Sequence, residues 1–515
     1  MLELTNCPEY SVRSSCPANS WQLSPLQAAI MTAQWDWLWD CAALQYLRSV
    51  SDTSILYAVI AFSVVIFVWE EYLAVRQRNV LKTVQNVPDD LDGAITQETF
   101  EKARLYQLDK SMFESCRNLF EILFNTACLL MFVMPLMWSL SGHTLRWAGL
   151  SGEITQSMVF MFYTSVVSTV IGLPWSLYST FAVEQRHGFN KQTLGFFIKD
   201  KLKAFVVNQV ISLPIVAMIV YIVQAGGDYF FLYLWAFCFV VLLFLMTIYP
   251  EFIAPLFDKY TPLPEGELRD MIEALAAKLH FPLKKLYVVE GSKRSAHSNA
   301  YFYGFFNNKR IVLFDTLLQD WESKTADSER EKEDGAAAGK EADSGDSAGS
   351  ENKDSTEKEA AVKKGCSNLE VVAVLSHELG HWSMNHVFKN IVLIQLNLLL
   401  TFAVFAGLYR YAPLYRAFGF TTDQPVLCGL VIILQYVFAP YSTLFTVLAT
   451  GMSRRFEFQA DQFGKALGYA ALLKAALIKL TSDNLSFPVY DRLYSAWHHS
   501  HPPLLQRLAA LQKVD

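Results

Sequence analysis

Residues 371–382 read Val-Val-Ala-Val-Leu-Ser-His-Glu-Leu-Gly-His-Trp, so His377 and His381 stand four positions apart with Glu378 beside the first. On a helix the two imidazoles share one face about 6 Å apart, a bite suited to one Zn²⁺. Glu378 projects at roughly 100° to them, close enough to touch a water on the metal without displacing it. Neutral imidazole suits zinc, and a carboxylate beside that water can take its proton as the water attacks a carbonyl. The chemistry indicated is hydrolysis of an amide. The competing reading is a helix with two unrelated histidines.

The elements that must position this motif are mostly apolar. The chain has 515 residues, 52% hydrophobic and 14% aromatic, with mean hydropathy +0.22. That is too apolar for a soluble enzyme of this length and predicts several membrane spans. The net charge of −6 leaves no basic field for nucleic acid. Eight cysteines are scattered without Cys-x-x-Cys pairs. Cys128, Cys238 and Cys428 fall inside apolar runs and read as small buried hydrophobes. Cys7 and Cys16 could pair if the N-terminus is lumenal. The first residues lack a basic stretch followed by an apolar core, so no cleavable signal peptide is expected. Within an N-terminal extension, 1–52, residues 31–50 carry Trp35, Trp37 and Trp39 with Asp36 and Asp40, which suits an interfacial helix.

Seven apolar runs follow, near 54–74, 119–140, 157–181, 205–224, 229–249, 390–409 and 426–450. Each approaches the roughly 20 residues that a bilayer core requires. Pro135, Pro174, Pro214 and Pro440 interrupt four of them, and Glu121 and Asn125 sit inside the second. In lipid such groups are tolerated where they face protein or a wet cavity. Ordinary packing of kinked helices explains any one proline; together they suggest a bundle that is not filled. Lys and Arg crowd the loop after the first run (Arg76 to Arg117) and after the third (Arg186 to Lys203), while the even-numbered loops hold few. That bias predicts a lumenal N-terminus and a cytosolic C-terminus, with spans one to five over 53–249 and spans six and seven over 390–450.

The fifth loop, 250–389, is then cytosolic and long enough to fold. It opens with a helical pattern over 264–279 and continues with strand-like runs at 285–290 and 310–314. Between them 298–306 is also strand-prone, with Asn307-Asn308 as a turn. Residues 322–365 are rich in Lys, Glu, Asp, Ser, Ala and Gly, which predicts a solvated, disordered insert. His381 lies just before the sixth span, and the seventh ends near Thr450. An antiparallel pair returns the chain to the same membrane face, where Arg454-Arg-Phe-Glu457-Phe-Gln-Ala-Asp461 begins the C-terminal segment 451–515. Glu457 is thereby placed to be the third zinc ligand, leaving the fourth position for water. Asp461 shares its helical face and could accept the free N–H of a ligand imidazole. Alternatively, the two acids balance Arg454 and Arg455.

On these stretches the chain resembles the zinc-dependent CAAX prenyl protease family. Matching segments include 100–110 (Phe-Glu-Lys-Ala-Arg-Leu-Tyr-Gln-Leu-Asp-Lys), 184–190 (Glu-Gln-Arg-His-Gly-Phe-Asn), 290–304, 377–382, 454–461 and 498–503 (His-His-Ser-His-Pro-Pro). The likeness runs from about Thr53 to the C-terminus; residues 1–50 and the charged insert depart from it. The resemblance implies an α-helical integral membrane protein of the endoplasmic reticulum, with the inner nuclear membrane as an additional location. It implies seven transmembrane helices enclosing a large water-filled chamber, capped on the cytosolic side by an α+β zinc metalloprotease domain. It also implies removal of the last three residues from farnesylated or geranylgeranylated CAAX proteins. The zinc ligands of the family match His377, His381 and Glu457, and the base matches Glu378.

Further roles rest on that likeness. His501 is the candidate donor to the oxyanion, the alternative being a surface histidine cluster. Asn299 and Ala300 begin a segment that could serve as an edge strand for an extended substrate, or be buried in its own hairpin. Arg507 could pair with the substrate's terminal carboxylate or form a structural ion pair. A prenyl chain is too apolar for water, so a chamber opened between helices would admit it from the bilayer. One Zn²⁺ per chain and a monomer are expected. Two rival readings are a broad-specificity quality-control metalloprotease and a transporter or scaffold with structural zinc. The intact Glu378 argues against the second, because a structural site would close with a fourth protein ligand.

Overall fold

The computed structural model describes residues 51–304, 308–319, 321 and 364–513. The interfacial helix, the Cys7–Cys16 pair, most of the charged insert and Asn307 of the expected turn lie outside them. The chain divides into two compact units, Met1–Ile55 and Leu56–Asp515; the sheet and the metal motif belong to the second.

Five continuous helices are long and apolar enough to cross a membrane: Asp52–Thr83, Glu153–Glu184, Leu194–Ala225, Gly227–Leu256 and His386–Leu408. The second and seventh expected spans are instead bent pairs, which bring the total to seven if each pair crosses once. In the first pair, Gln97–Leu130 meets Val133–Trp147 at 65°. The break falls at Phe132, whose backbone is left-handed (φ 52), with Pro135 just inside the next helix, where its missing N–H costs nothing. The other break, of 59°, precedes Ala439–Ala466, where Pro440 occupies the first turn. Pro174 and Pro214 stay within continuous helices.

The spans enclose a cavity of about 1220 Å³. Glu70 from the first span and Arg117, Asn118, Glu121 and Asn125 from the helix Gln97–Leu130 line it, so the polar residues that sit awkwardly in the sequence border that space.

Above the spans sits a four-stranded sheet of order β1-β2-β4-β3, built from Tyr260–Pro262, Leu283–Val289, Ala300–Tyr303 and Lys309–Phe314 in chain order. β2 runs parallel to β4, while β3 pairs antiparallel with β4, Ala300 opposite Leu313, and forms one edge. The expected helix is Glu267–Lys278. β1, three residues ending in proline, carries no period-2 signal and is missed by pattern alone. The apolar core of this unit joins Ile272 and Leu275, Val288 and Ile311, and Val372, Leu375 and Leu379, so the sheet is packed directly on the histidine helix.

Candidate metal centre

The histidine helix, Asn368–Ser383, begins with a reciprocal cap. Glu370 N–H donates to Ser367 Oγ (3.4 Å) and Ser367 N–H donates to Glu370 Oε2 (2.7 Å). The helix stops where Asn385 turns left-handed (φ 56), and the sixth span, His386–Leu408, departs toward the membrane. The Glu457 helix, Ala439–Ala466, packs closely on the histidine helix because two glycines remove the side chains between them. A Cβ on Gly380 would stand 3.1 Å from Phe463, and one on Gly464 would stand 3.0 Å from Ser376 Oγ.

This contact brings Glu457 to the two histidines. The His377 and His381 Nε2 atoms are 3.2 Å apart. Glu457 Oε2 lies 3.4 Å from the first, and Oε1 lies 3.3 Å from the second. Ligand atoms about 2.0–2.1 Å from one tetrahedral centre are separated by about 3.3–3.4 Å, so the two nitrogens and the carboxylate stand close enough together to share one metal ion. Glu457 is 4% exposed, and its Oε2 has no hydrogen-bond donor, an orphaned buried acceptor that a cation would satisfy. These donors form the one group of three or more potential ligands brought together among the described residues.

Each imidazole is also held from behind. His377 Nδ1 lies 2.9 Å from Asp461 Oδ1. Arg507 clamps the same carboxylate through Nε (2.9 Å) and Nη2 (2.6 Å) and reaches within 3.6 Å of Glu457. Burial works against charge on His377, yet the bond to Asp461 and the adjacent Glu457 carboxylate outweigh it and lift the ring to about 9. The carboxylates that favour a proton there favour a metal cation equally. His381 is held by a neutral chain: its Nδ1 is 2.9 Å from His386 Nδ1, and His386 Nε2 is 3.0 Å from Gln459 Oε1. The His386 ring stacks on Phe456 at 4.1 Å. For Glu378, burial raises the carboxyl above the ordinary range while His377 and His381 oppose the shift.

The remaining candidates are distributed around this centre. His501, 68% exposed, has Nε2 3.3 Å from Glu457 Oε1. Its segment is held by Arg454, which donates to the Ser495 and His499 carbonyls and to Gln506. Asn299 Oδ1 accepts from Ala300 N–H (2.8 Å), and the Asn299 carbonyl accepts from Phe314 N–H, at the start of the edge strand β3. Arg507 is engaged by the protein's own acids, Asp461 and Glu457.

His386, Gln459, Arg454, Glu70 and Arg76 were not singled out by the motif. The last two anchor the C-terminal segment to the helix Asp52–Thr83. Trp497 Nε1–H donates to Glu70 (2.7 Å), and Arg76 makes a bidentate pair with Asp491 (3.1 and 2.8 Å). For His386 a signal existed: a third histidine five residues past the motif, too far for the same helical face but reachable across a turn.

Residues 77–259 match the family model described as CAAX prenyl protease N-terminal, five membrane helices, and residues 262–515 match that of peptidase family M48. The chain belongs to peptidase family M48. It is 51% identical to the CAAX prenyl protease 1 homolog of Homo sapiens, covering 94% of this chain and 99% of that one. Its identity to the CAAX prenyl protease 1 of Saccharomyces cerevisiae is 35%, over 88% and 94% of the two chains. The crystal structure of S. mikatae Ste24p superposes with a TM-score of 0.75 at 34% identity, covering 90% of this chain and all of that one. This protein is a multi-pass membrane metalloprotease.

Proposed function

We propose that the chain removes the C-terminal tripeptide from farnesylated or geranylgeranylated CAAX proteins, with Zn²⁺ held by His377, His381 and Glu457. The observation that carries this reading is the convergence of those three groups on one point, next to Glu378, in a chain whose relatives are named for CAAX processing. The Lys and Arg bias of the loops supports a cytosolic site, with 250–389 and 451–515 as the two halves of the catalytic domain, and the likeness to the CAAX prenyl proteases supports the endoplasmic reticulum membrane. All of these groups come from one chain, which supports a monomer as the working unit.

Bound Zn²⁺ would supply an acidified water and polarise the scissile carbonyl. Glu378 takes the water's proton as its oxygen adds to the carbonyl carbon, then gives one to the leaving nitrogen. A carboxyl lifted by burial is suited to both halves of that exchange. His501 donates a hydrogen bond to the carbonyl oxygen as it gains charge. Asp461 accepts from His377 Nδ1 and so keeps the Nε2 lone pair directed at the centre, while Arg507 balances the acid. The free edge of β3, from Ala300 onward, aligns the substrate main chain, with Asn299 shaping its start.

The test is cleavage of a farnesylated peptide ending in a CAAX tetrapeptide, with and without chelator. Hydrolysis after the cysteine, lost on chelation and restored by Zn²⁺, is expected. Glu378→Gln should retain zinc and lose at least about 10³-fold in kcat. Indifference to the chelator would sink the metal mechanism. Equal cutting of unmodified misfolded chains would make the protein a quality-control protease.

A further inference from the structure

Between the sheet and the membrane helices lies a second pocket, of about 590 Å³, distinct from the large cavity among the spans. Its walls are apolar: Ile211, Leu245, Met246 and Ile253 come from two spans, and Phe388 and Ile391 from the sixth. Two further boundaries tie it to the metal centre, the ligand His381 and the C-terminal end of β3 at Phe302–Gly304. Among the described residues no acid lines it, and its single cation, Lys309, gives its Nζ to the Gly304 carbonyl (2.6 Å).

We infer that this pocket receives the prenyl chain of the substrate cysteine, an inference that rests on the proposed cleavage of prenylated proteins. The direction of the edge strand supplies the first argument. An extended peptide adds most stably to β3 in antiparallel sense. β3 runs from Ala300 to Tyr303, so the substrate runs the other way. Its residues before the cut then lie at the Tyr303 and Gly304 end, and the three that leave lie toward Asn299. The cysteine precedes the cut. Its thioether is thus brought to the side of the metal centre where the pocket opens, beside His381.

Size and chemistry agree with that placement. An apolar cavity of about 150 Å³ holds the six carbons of benzene, so fifteen isoprenoid carbons need about 375 Å³ and twenty need about 500 Å³. Both fit within 590 Å³. The large cavity has ample room, but Glu70, Arg117, Asn118, Glu121 and Asn125 line it, and an isoprenoid there would strip water from charged groups for no return. The small pocket also has an apolar approach. Tyr249, Phe252 and Phe388 are 55%, 66% and 65% exposed at the ends of the spans that build it, where bilayer hydrocarbon would cover them. These rings offer a prenyl chain an apolar surface to follow from lipid to the pocket.

The test uses the full chain and a farnesylated CAAX peptide whose isoprenoid carries a diazirine at its far end. After irradiation, labelling is expected on Ile211, Met246, Ile253 or Phe388, and to be competed by an unlabelled farnesylated peptide. Cleavage of the probe with labelling on Ile122, Phe124 or Val167 of the large cavity overturns the pocket and leaves the proposed function standing. If the probe is not cut at all, both fall together. A second measurement is independent of labelling. Met246→Trp should fill the pocket and lower the ratio of kcat/KM for the farnesylated peptide over its S-methyl counterpart at least about tenfold, with a larger drop for geranylgeranyl. Ile211→Trp, from the opposite span, should do the same. A ratio unchanged in both variants, with zinc content intact, overturns the inference.

Discussion

The two imidazoles of the metal centre are supported in opposite ways. Behind His377 stand ions: Asp461, itself clamped by Arg507, with both acid and base almost wholly buried. Behind His381 stands a neutral relay through His386 to Gln459, next to the apolar pocket. Ionic support fixes a tautomer firmly, but each member depends on the others, because a buried charge without its partner is costly. Neutral support holds less tightly and tolerates loss. The contrast suggests that the His377 side is the rigid anchor of the metal and the His381 side is the one that can adjust as substrate arrives.

The severest way to break that comparison is to remove both sides together. Gly380→Leu should force the histidine helix from the Glu457 helix against Phe463 and Ala460, separate Glu457 from both histidines, and abolish zinc binding altogether. Zinc at one equivalent in the purified variant would show that the close approach is dispensable. Next comes the ionic side alone. Arg507→Met leaves Asp461 buried without its cation and should destabilise the protein by about 3–5 kcal/mol, read as a lowered melting temperature that excess zinc restores only in part. The neutral side should cost less. His386→Leu is expected to weaken zinc affinity about tenfold, at the low end for such outer contacts, with little change in melting temperature. An effect as large as that of Arg507→Met would erase the distinction.

The smallest effect concerns pH. Burial, and then the charges of His498, Arg454 and His501, hold His499 down to about 4, below its ordinary 6.5. Above pH 6.5 the ring is neutral in folded and unfolded chain alike and contributes nothing. Between pH 6.5 and about 4 the unfolded chain binds the proton more readily, so stability declines through that window. His499→Phe should flatten that part of the curve, and an unchanged slope would remove His499 from it.

Much of this was legible in the chain because the signals are local or topological. His377, Glu378 and His381 are fixed by helical repeat alone. Glu457 follows from an even number of crossings between it and the histidines, and Asp461 from one further turn of its helix. The relay to His386 was hidden because a left-handed residue, Asn385, ends one helix and starts another, folding a side chain five positions away back onto His381. The breaks at Phe132 and Phe438 were marked only by nearby prolines, and proline alone does not distinguish a kink from a corner: Pro174 and Pro214 lie in continuous helices. The ties from Glu70 and Arg76 to the C-terminal segment span more than four hundred positions and leave no periodic trace.

Those ties bear on how the enzyme comes into being. The carboxylates and guanidinium that complete the centre, and the exposed histidine at its mouth, emerge from the ribosome long after the helix that secures them has entered the bilayer. A chain made only as far as the sixth span therefore carries the two histidines but not Glu457, Asp461, His501 or Arg507. Hydrolytic power arrives only when the newest segment docks on one of the oldest, which spares the translocation machinery from the protein it is inserting.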